Sequence, residues 1–382
     1  MESKLNFFQK FKKFSIYEII TFHPKEFILN NLRDIKNKKL LTVIFHYEGN
    51  NKCPHKMILQ IKQDKPINVI RFSPDNNLLA YGSTKVVFLH IVNYYKLNIF
   101  SKVELKLTGH KDEVVSLSFN PKSDLLATAS WDKTALIYCV DIKNKELYGK
   151  QLAKLTHHTK GIMSINFSPF GTYLSTAGED EEVLLYEVIQ DKKLIVQCKQ
   201  FIKLKEHKFP VNASSFCPRE NLFAVGGVGD AVILYGVNRF VPNFGQILIK
   251  LNGQFLNGGV NSLSFSECGN YLAVGCWESF VKVYGVNYID QENYGKKLLN
   301  IEHKGVIYSV AFSPCGNNLA VANVNRLILY NTDYYYDKSN YGSKKMEFND
   351  HKKEIYDIAF SPCGSYLATC GNDKSVRIYG QN

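Results

Sequence analysis

The chain has 382 residues, of which 45% are apolar and 13% aromatic, and its formal net charge is +12. This composition excludes a largely disordered chain and provides enough apolar residues for a sizeable buried core. It contains no run of about 18 apolar residues, as a membrane span requires. The first residues also lack the pattern of a secretory signal, so we expect an intracellular protein, cytoplasmic or nuclear.

The positive charge comes mainly from lysine, because the chain has only six arginines and no two of them are adjacent. Lysine lacks the planar fork with which arginine recognises phosphate and guanine, so the charge alone identifies no partner. The nine cysteines are odd in number and contain no C-x-x-C pair. This pattern favours a reducing compartment over a disulfide scaffold.

Residues 1–50 lie outside any repeat and form the first predicted domain, an N-terminal extension. Phe7, Phe11 and Phe14 fall on one helical face with lysines around them, which predicts a basic amphipathic helix. Such a helix could bind a membrane surface or a partner's groove, or act as an organelle-targeting segment. The alternative is a cap that packs on the rest of the chain.

A segment of alternating residues, MILQIK at 57–62, precedes seven related stretches that fill the rest of the chain. One of them, from Ser116, reads SLSFNPKSDLLATASWDKTALIY. Period-two patterns between turn residues predict strands, and each period adds a further short strand upstream, such as 152–156. Four short strands per period are typical of a propeller blade. The anchoring phenylalanines recur every 47 to 49 residues, at Phe72, Phe119, Phe167, Phe216, Phe265, Phe312 and Phe360.

These repeats carry Gly109-His110 before a first strand, turns such as Phe312-Ser313-Pro314, and an aspartate in the next turn. In these features the chain resembles the WD-repeat β-propellers, whose repeats are similar to those of G-protein β, over residues 57–382. The resemblance implies an all-β fold, a seven-bladed β-propeller of four-stranded antiparallel blades, with a partly helical N-terminal extension. The last repeat stops just after its third strand, so we expect the strand at 57–62 to pair with the last blade and close the ring.

The resemblance also implies a structural hydrogen-bond network inside some blades. It joins a histidine before the first strand, a threonine of the second strand, the turn aspartate and an aromatic residue of the third strand. The matching residues are His110, Thr128, Asp132 and Tyr138 in the second repeat, His157 or His158 with Thr176, Asp180 and Tyr186 in the third, and His351, Thr369, Asp373 and Tyr379 in the seventh. In other repeats Val225, Val274 and Val321 replace the hydroxyl, and we expect apolar packing there.

The repeated histidines occupy the same position in separate blades. They are therefore too far from one another to bind a single metal ion. No nucleophile motif, phosphate-binding loop or paired active-site carboxylates are present. We therefore predict no enzymatic activity, no catalytic residues, no cofactor and no metal site.

Two sets of loop residues are candidate partner contacts. Trp131 and Trp277 occupy the same place, just before the acid of the second turn, where an exposed aromatic side chain can anchor a partner protein. The alternative is that each ring packs over its neighbouring loops. Five lysines fall on the same rim and would form a basic crown, unless they are ordinary solvated residues: Lys111, Lys160, Lys208, Lys304 and Lys352.

The sequence thus predicts a non-enzymatic protein–protein interaction scaffold, a propeller subunit of a larger complex, with variable loops that carry specificity. The alternative function is binding of an anionic surface, either RNA or acidic membrane lipid, through the loop lysines and the basic N-terminal helix.

Overall fold

The computed structural model describes residues 54–92, 105–191, 196–204, 206–219, 221–229, 231–238, 242–252, 259–287, 289–290, 292–333 and 338–380. The N-terminal extension, including the predicted amphipathic helix, lies outside the described residues. Within them, no helix is long and apolar enough to cross a membrane.

The alternating segments between turns form short strands throughout the described part of the chain. Strand β1 spans Lys56–Lys62. Blade 1 contains β2 (Val69–Phe72), β3 (Leu78–Ser83), β4 (Val86–Ile91) and β5 (Leu105–Leu107); blade 2 contains β6 (Val114–Phe119), β7 (Leu125–Ser130), β8 (Ala135–Cys139) and β9 (Gln151–Leu155). Blade 3 contains β10 (Ile162–Phe167), β11 (Tyr173–Gly178), β12 (Val183–Gln190) and β13 (Val196–Leu204); blade 4 contains β14 (Val211–Phe216), β15 (Leu222–Gly227), β16 (Ala231–Gly236) and β17 (Ile247–Asn252).

The remaining strands follow the same order. Blade 5 contains β18 (Val260–Phe265), β19 (Tyr271–Cys276), β20 (Phe280–Gly285) and β21 (Lys297–Glu302); blade 6 contains β22 (Ile307–Phe312), β23 (Asn318–Asn323), β24 (Arg326–Asn331) and β25 (Lys344–Phe348). Blade 7 contains β26 (Ile355–Phe360), β27 (Leu367–Gly371) and β28 (Ser375–Gly380). A short 3-10 helix, Lys338–Asn340, lies before β25.

The described strands form seven antiparallel sheets of four strands each, so the fold is an all-β, seven-bladed β-propeller. The first strand of every blade contacts the first strands of both neighbouring blades, and β2 contacts β26 to complete the ring. Strand β1 supplies the fourth strand of blade 7: it pairs antiparallel with β28, with Met57 opposite Tyr379 and Lys62 opposite Ser375. The ring is therefore closed by strands from both ends of the repeat region.

The hydrophobic core lies between blades rather than within them. Each of the seven buried clusters in the described residues combines side chains from two adjacent sheets. At the junction of blades 7 and 1, for example, Ile70, Leu79 and Tyr81 pack with Ala368 and Ile378. Because a fully buried aliphatic or aromatic side chain contributes roughly 1.5–3 kcal/mol, the sheets stabilise one another mainly through these shared clusters.

Polar side chains of the first strands also bond one blade to the next. The hydroxyl oxygens of Ser116 and Ser262 accept the backbone N–H groups of Ile165 and Val310 at 3.1 and 3.0 Å. These serines stand three residues before the anchoring phenylalanine, and the bonded N–H belongs to the following blade. The pattern satisfies backbone groups that face the centre of the ring.

Asp357 takes the place of this serine in blade 7, at the junction that closes the ring. Its carboxylate accepts the N–H of Ile70 in blade 1 and the hydroxyl of Ser309 in blade 6, both at 3.0 Å. The guanidinium of Arg71 also pairs with it. One side chain therefore connects three consecutive blades.

A second repeated contact lies in the loops between third and fourth strands. In four of these loops a tyrosine or phenylalanine precedes a glycine. The φ angle of this glycine lies between 75° and 81°, a backbone conformation that is strained for other residues. A side chain on this glycine would collide with an aliphatic residue of the preceding blade's outer strand, which is Leu105, Ile202, Ile249 or Leu299. The glycines are Gly149, Gly245, Gly295 and Gly342.

Replacement of Asp357 by alanine should destabilise the ring. The buried N–H of Ile70 would lose its acceptor, so we expect the free energy of unfolding to fall by about 1–3 kcal/mol in denaturant titrations. Arg71→Ala is the matched control. It removes a partly exposed ion pair and the hydrogen bond from the Arg71 guanidinium to the Ile70 carbonyl, for which we expect a smaller loss of about 1 kcal/mol. Equal losses in the two variants would contradict the role assigned to Asp357.

Candidate partner-binding face

One rim of the propeller is built from two kinds of loop: the loop before each first strand and the turn between second and third strands. In blade 2 these loops are held together by His110 and Asp132, whose Nδ1 and Oδ2 atoms are 2.9 Å apart. The N–H of Lys111 donates to the same carboxylate at 2.7 Å. The other ring nitrogen, Nε2 of His110, lies 2.7 Å from the hydroxyl of Thr128. The loop positions are thus set from inside the blade.

Blades 3 and 7 contain the same arrangement. Nδ1 of His158 lies 2.9 Å from Asp180 and Nε2 lies 2.7 Å from Thr176, so His158, and not His157, occupies the position equivalent to His110. In blade 7, His351 lies 3.1 Å from Asp373 and 2.7 Å from Thr369.

The tyrosines of the third strands are buried beside these groups and differ in their contacts. The hydroxyl of Tyr138 donates to the carbonyl of Thr108 at 2.9 Å, and that of Tyr186 lies 3.3 Å from Nδ1 of His157. The ring of Tyr379 packs on Phe348 with centroids 4.7 Å apart. Two of the three tyrosines therefore fasten the loop that carries the histidines to the third strand.

The Thr–His–Asp arrangement has the order of a hydrolytic triad but cannot act as one. Burial lowers the pKa of His110, while hydrogen bonds from Thr134, the Lys111 N–H and His110 outweigh burial and lower the pKa of Asp132. The pair is therefore a neutral imidazole beside a carboxylate at neutral pH. Thr128 is 0% exposed, so no substrate can reach its hydroxyl. The geometry supports a structural use.

Blades 4, 5 and 6 have valine in place of the threonine. Val225, Val274 and Val321 are all 0% exposed and pack in the clusters between blades. His207 of blade 4 bonds the Tyr235 hydroxyl at 3.1 Å. His303 of blade 6 lies edge-on to Tyr330, and its buried Nε2 has no partner among the described residues.

Both tryptophans are exposed on this rim. Trp131 and Trp277 have 44% and 47% of their surface accessible, and their backbone N–H groups donate to the carbonyls of Glu113 and Gly259. The indole N–H of Trp131 also donates to Sδ of Met163, at 3.3 Å, in the next blade. Trp131 thus packs partly over its neighbour, as the alternative interpretation held, and still presents nearly half of its surface to solvent.

The five rim lysines, Lys111, Lys160, Lys208, Lys304 and Lys352, are all exposed, and none forms an ion pair within the described part of the chain. The rim is nevertheless mixed in charge. Glu179 and Glu181 are exposed on the blade 3 turn, between the positions of Lys160 and Lys208 in the ring.

A cavity of about 420 Å³ lies at the centre of the ring and is lined by the first strands of the blades. Its serine and asparagine side chains mostly bond the neighbouring blade, as Asn261 does with the Ile307 carbonyl at 2.9 Å. Sequence reasoning missed this lining, although the recurrence of serine three residues before the anchoring phenylalanine was a visible signal. Within the described ranges, no group of three or more His, Cys, Asp or Glu side chains is arranged to hold a metal ion.

A family model for the WD domain, G-beta repeat, matches five segments that together cover just over half of the chain: residues 101–139, 149–187, 245–285, 295–329 and 342–380. Each segment combines the outer strand of one blade with the first three strands of the next, so that every repeat links two blades. The inner three strands of blades 1 and 4 lie outside the matched segments. A search of the curated proteins returned no match.

His207 and His303, which are not hydrogen-bonded to a turn aspartate in the described structure, should make the stability of the fold depend on pH. Burial lowers the pKa of His207 and of His303 from 6.5 to about 4. The unfolded chain therefore binds protons on these residues at a higher pH than the folded chain does. Their contribution to the free energy of unfolding is complete above pH 6.5 and is lost as the pH falls toward 4, by at most about 1.4 kcal/mol per pH unit for each histidine, because both side chains are partly exposed and solvent screens the charge.

We expect the melting temperature to fall as the pH is lowered from 6.5 to 4. The double variant His207→Gln, His303→Gln should show a shallower fall over this range. A double variant with the same pH profile as the unmodified protein would contradict this assignment.

Proposed function

The chain belongs to the WD domain, G-beta repeat family, and we propose that it is a non-enzymatic protein–protein interaction scaffold and a propeller subunit of a larger complex. Propellers of this family generally bind other proteins. The observation that carries the proposal is the exposure of Trp131 and Trp277 on turns whose backbones are fixed by hydrogen bonds.

Two exposed indoles on anchored turns are suited to partner binding. Tryptophan contributes a large contact area with little loss of side-chain entropy, and it is enriched among residues that dominate binding energy. Asp132, next to Trp131, is fixed by its bonds to His110 and to the Lys111 N–H, so the turn is held in place before a partner arrives. A preformed turn lowers the entropic cost of association. The mechanism that we propose is rigid display of these side chains.

Simultaneous replacement of Trp131 and Trp277 by alanine should abolish the binding of partner proteins. The measurement is affinity purification from cells, in which proteins that co-purify with the unmodified protein should be missing from the double variant. Because neither indole belongs to a buried cluster between blades, the melting temperature should change little. Phe170→Ala is the matched control: Phe170 is 71% exposed, but it lies in the turn between β10 and β11, at the opposite end of the blade. An unchanged set of partners in the double variant would refute the proposed face.

The second candidate function is binding of an anionic surface through the five rim lysines, and the observation in its favour is that all five are exposed. The exposed glutamates on the same rim weaken this candidate, because they oppose an approaching phosphate.

Salt dependence separates the two candidates. If charge governs binding, affinity for single-stranded RNA or for phosphatidylserine vesicles should fall steeply as salt rises. A variant with all five rim lysines changed to glutamine should lose this binding, whereas changes at the exposed Lys143 and Lys145, which lie between β8 and β9, should not affect it. Negligible binding even at low salt would eliminate the second candidate.

A further inference from the structure

Trp131 of blade 2 and Glu179 of blade 3 approach each other over Gly161. A methyl group at Gly161 would lie 3.2 Å from Cδ1 of Trp131 and 3.3 Å from Oε2 of Glu179. The indole edge and the carboxylate therefore both border the space in front of Gly161, where a side chain would be tightly packed against each of them. Met163 completes this corner, because its sulfur accepts the indole N–H. We call the group of Trp131, Met163 and Glu179 the indole–carboxylate corner.

The backbones that carry the corner are fixed. The N–H of Glu179 donates to the carbonyl of Gly161 at 2.9 Å, and the N–H of Trp131 donates to that of Glu113 at 3.1 Å. Glu179 is exposed and forms no ion pair within the described residues. Its neighbour on the same turn, Glu182, is already paired with Lys203. The corner thus places a partly exposed indole and a carboxylate without an ion-pair partner on the two sides of Gly161.

We propose that the indole–carboxylate corner binds an arginine side chain of a partner protein, an assignment that rests on the scaffold function proposed above. A guanidinium stacks on an aromatic face and donates parallel hydrogen bonds to a carboxylate, so it satisfies both groups at once. An acidic or phosphate-bearing group would instead be repelled by the Glu179 carboxylate.

Lys160 is the chain's own competing cation, since it precedes Gly161 and is exposed. Its replacement therefore tests whether the bound group is positively or negatively charged. A bound guanidinium is repelled by Lys160 and attracted by Glu179, whereas a bound anion would respond in the opposite way to both residues.

The equivalent place beside Trp277 is apolar. There the N–H of Val324 donates to the carbonyl of Val306, as the N–H of Glu179 does to that of Gly161. Two valines thus replace the glycine and the glutamate. Trp277 is similarly exposed but has no carboxylate at this position, which makes it the matched control for the corner.

The experiment uses the full-length protein with Trp277→Phe, in which Trp131 is the only tryptophan and reports by fluorescence. The probe is the peptide acetyl-Gly-Gly-Arg-Gly-Gly-amide at low salt, compared with the same peptide containing citrulline, the neutral isostere of arginine. We expect the arginine peptide to change the fluorescence in a saturable manner and the citrulline peptide not to do so. Glu179→Gln should weaken binding roughly fivefold or more, and Lys160→Gln should strengthen it.

Two controls separate the corner from its surroundings. Glu181→Gln removes an exposed charge from the same turn and should leave the affinity unchanged. In the single variant Trp131→Ala, Trp277 is the remaining tryptophan, and the arginine peptide should produce no fluorescence response. Equal responses to arginine and citrulline, an equal loss in Glu181→Gln and Glu179→Gln, or weaker binding in Lys160→Gln would each overturn the assignment.

The outcome is distinguishable from a failure of the scaffold proposal. If the double tryptophan variant loses its partners but the arginine and citrulline peptides behave alike, the scaffold proposal stands and the arginine assignment fails. If the arginine peptide binds in a Glu179-dependent manner while the double variant keeps all its partners, the proposed partner face fails and the cation site stands.

Discussion

No blade of this propeller can bury its apolar faces alone, because each cluster of buried side chains among the described residues is shared between two adjacent sheets. The structure therefore depends on a closed ring, in which every sheet has a neighbour on both sides. Closure is provided by the pairing of β1 with β28, which covers the outer edge of the last blade. Asp357 adds a polar connection at the same junction, from blade 7 to blades 6 and 1.

The inner side of the ring follows a different principle from the clusters between blades. Around the central cavity, side-chain oxygens and amides of one blade form hydrogen bonds with backbone groups of the adjacent blade. These bonds fix the position of each first strand relative to the next. The loops that leave these strands therefore start from fixed points.

The rim combines buried polar groups with exposed side chains next to them in sequence. In blade 2, Asp132 turns inward to His110 while Trp131 is 44% exposed, and in blade 3 Asp180 pairs with His158 while Glu179 is exposed. The internal pairs hold the turns, and the adjacent residues are left available for contact. Valine replaces the threonine of this network in blades 4, 5 and 6, so the rim is fixed by different contacts around the ring.

The repeat spacing and the period-two patterns determined the propeller and its seven blades, because these depend on a local pattern repeated in register. The residues at the His–Thr–Asp positions followed from the resemblance of the repeats to the WD-repeat family. The sequence could not decide between His157 and His158, since both precede the same strand and only the packed blade selects one. Nor could it indicate that Glu179 lies beside Trp131. These residues are 48 positions apart and belong to different repeats. Both border Gly161 because neighbouring blades pack side by side.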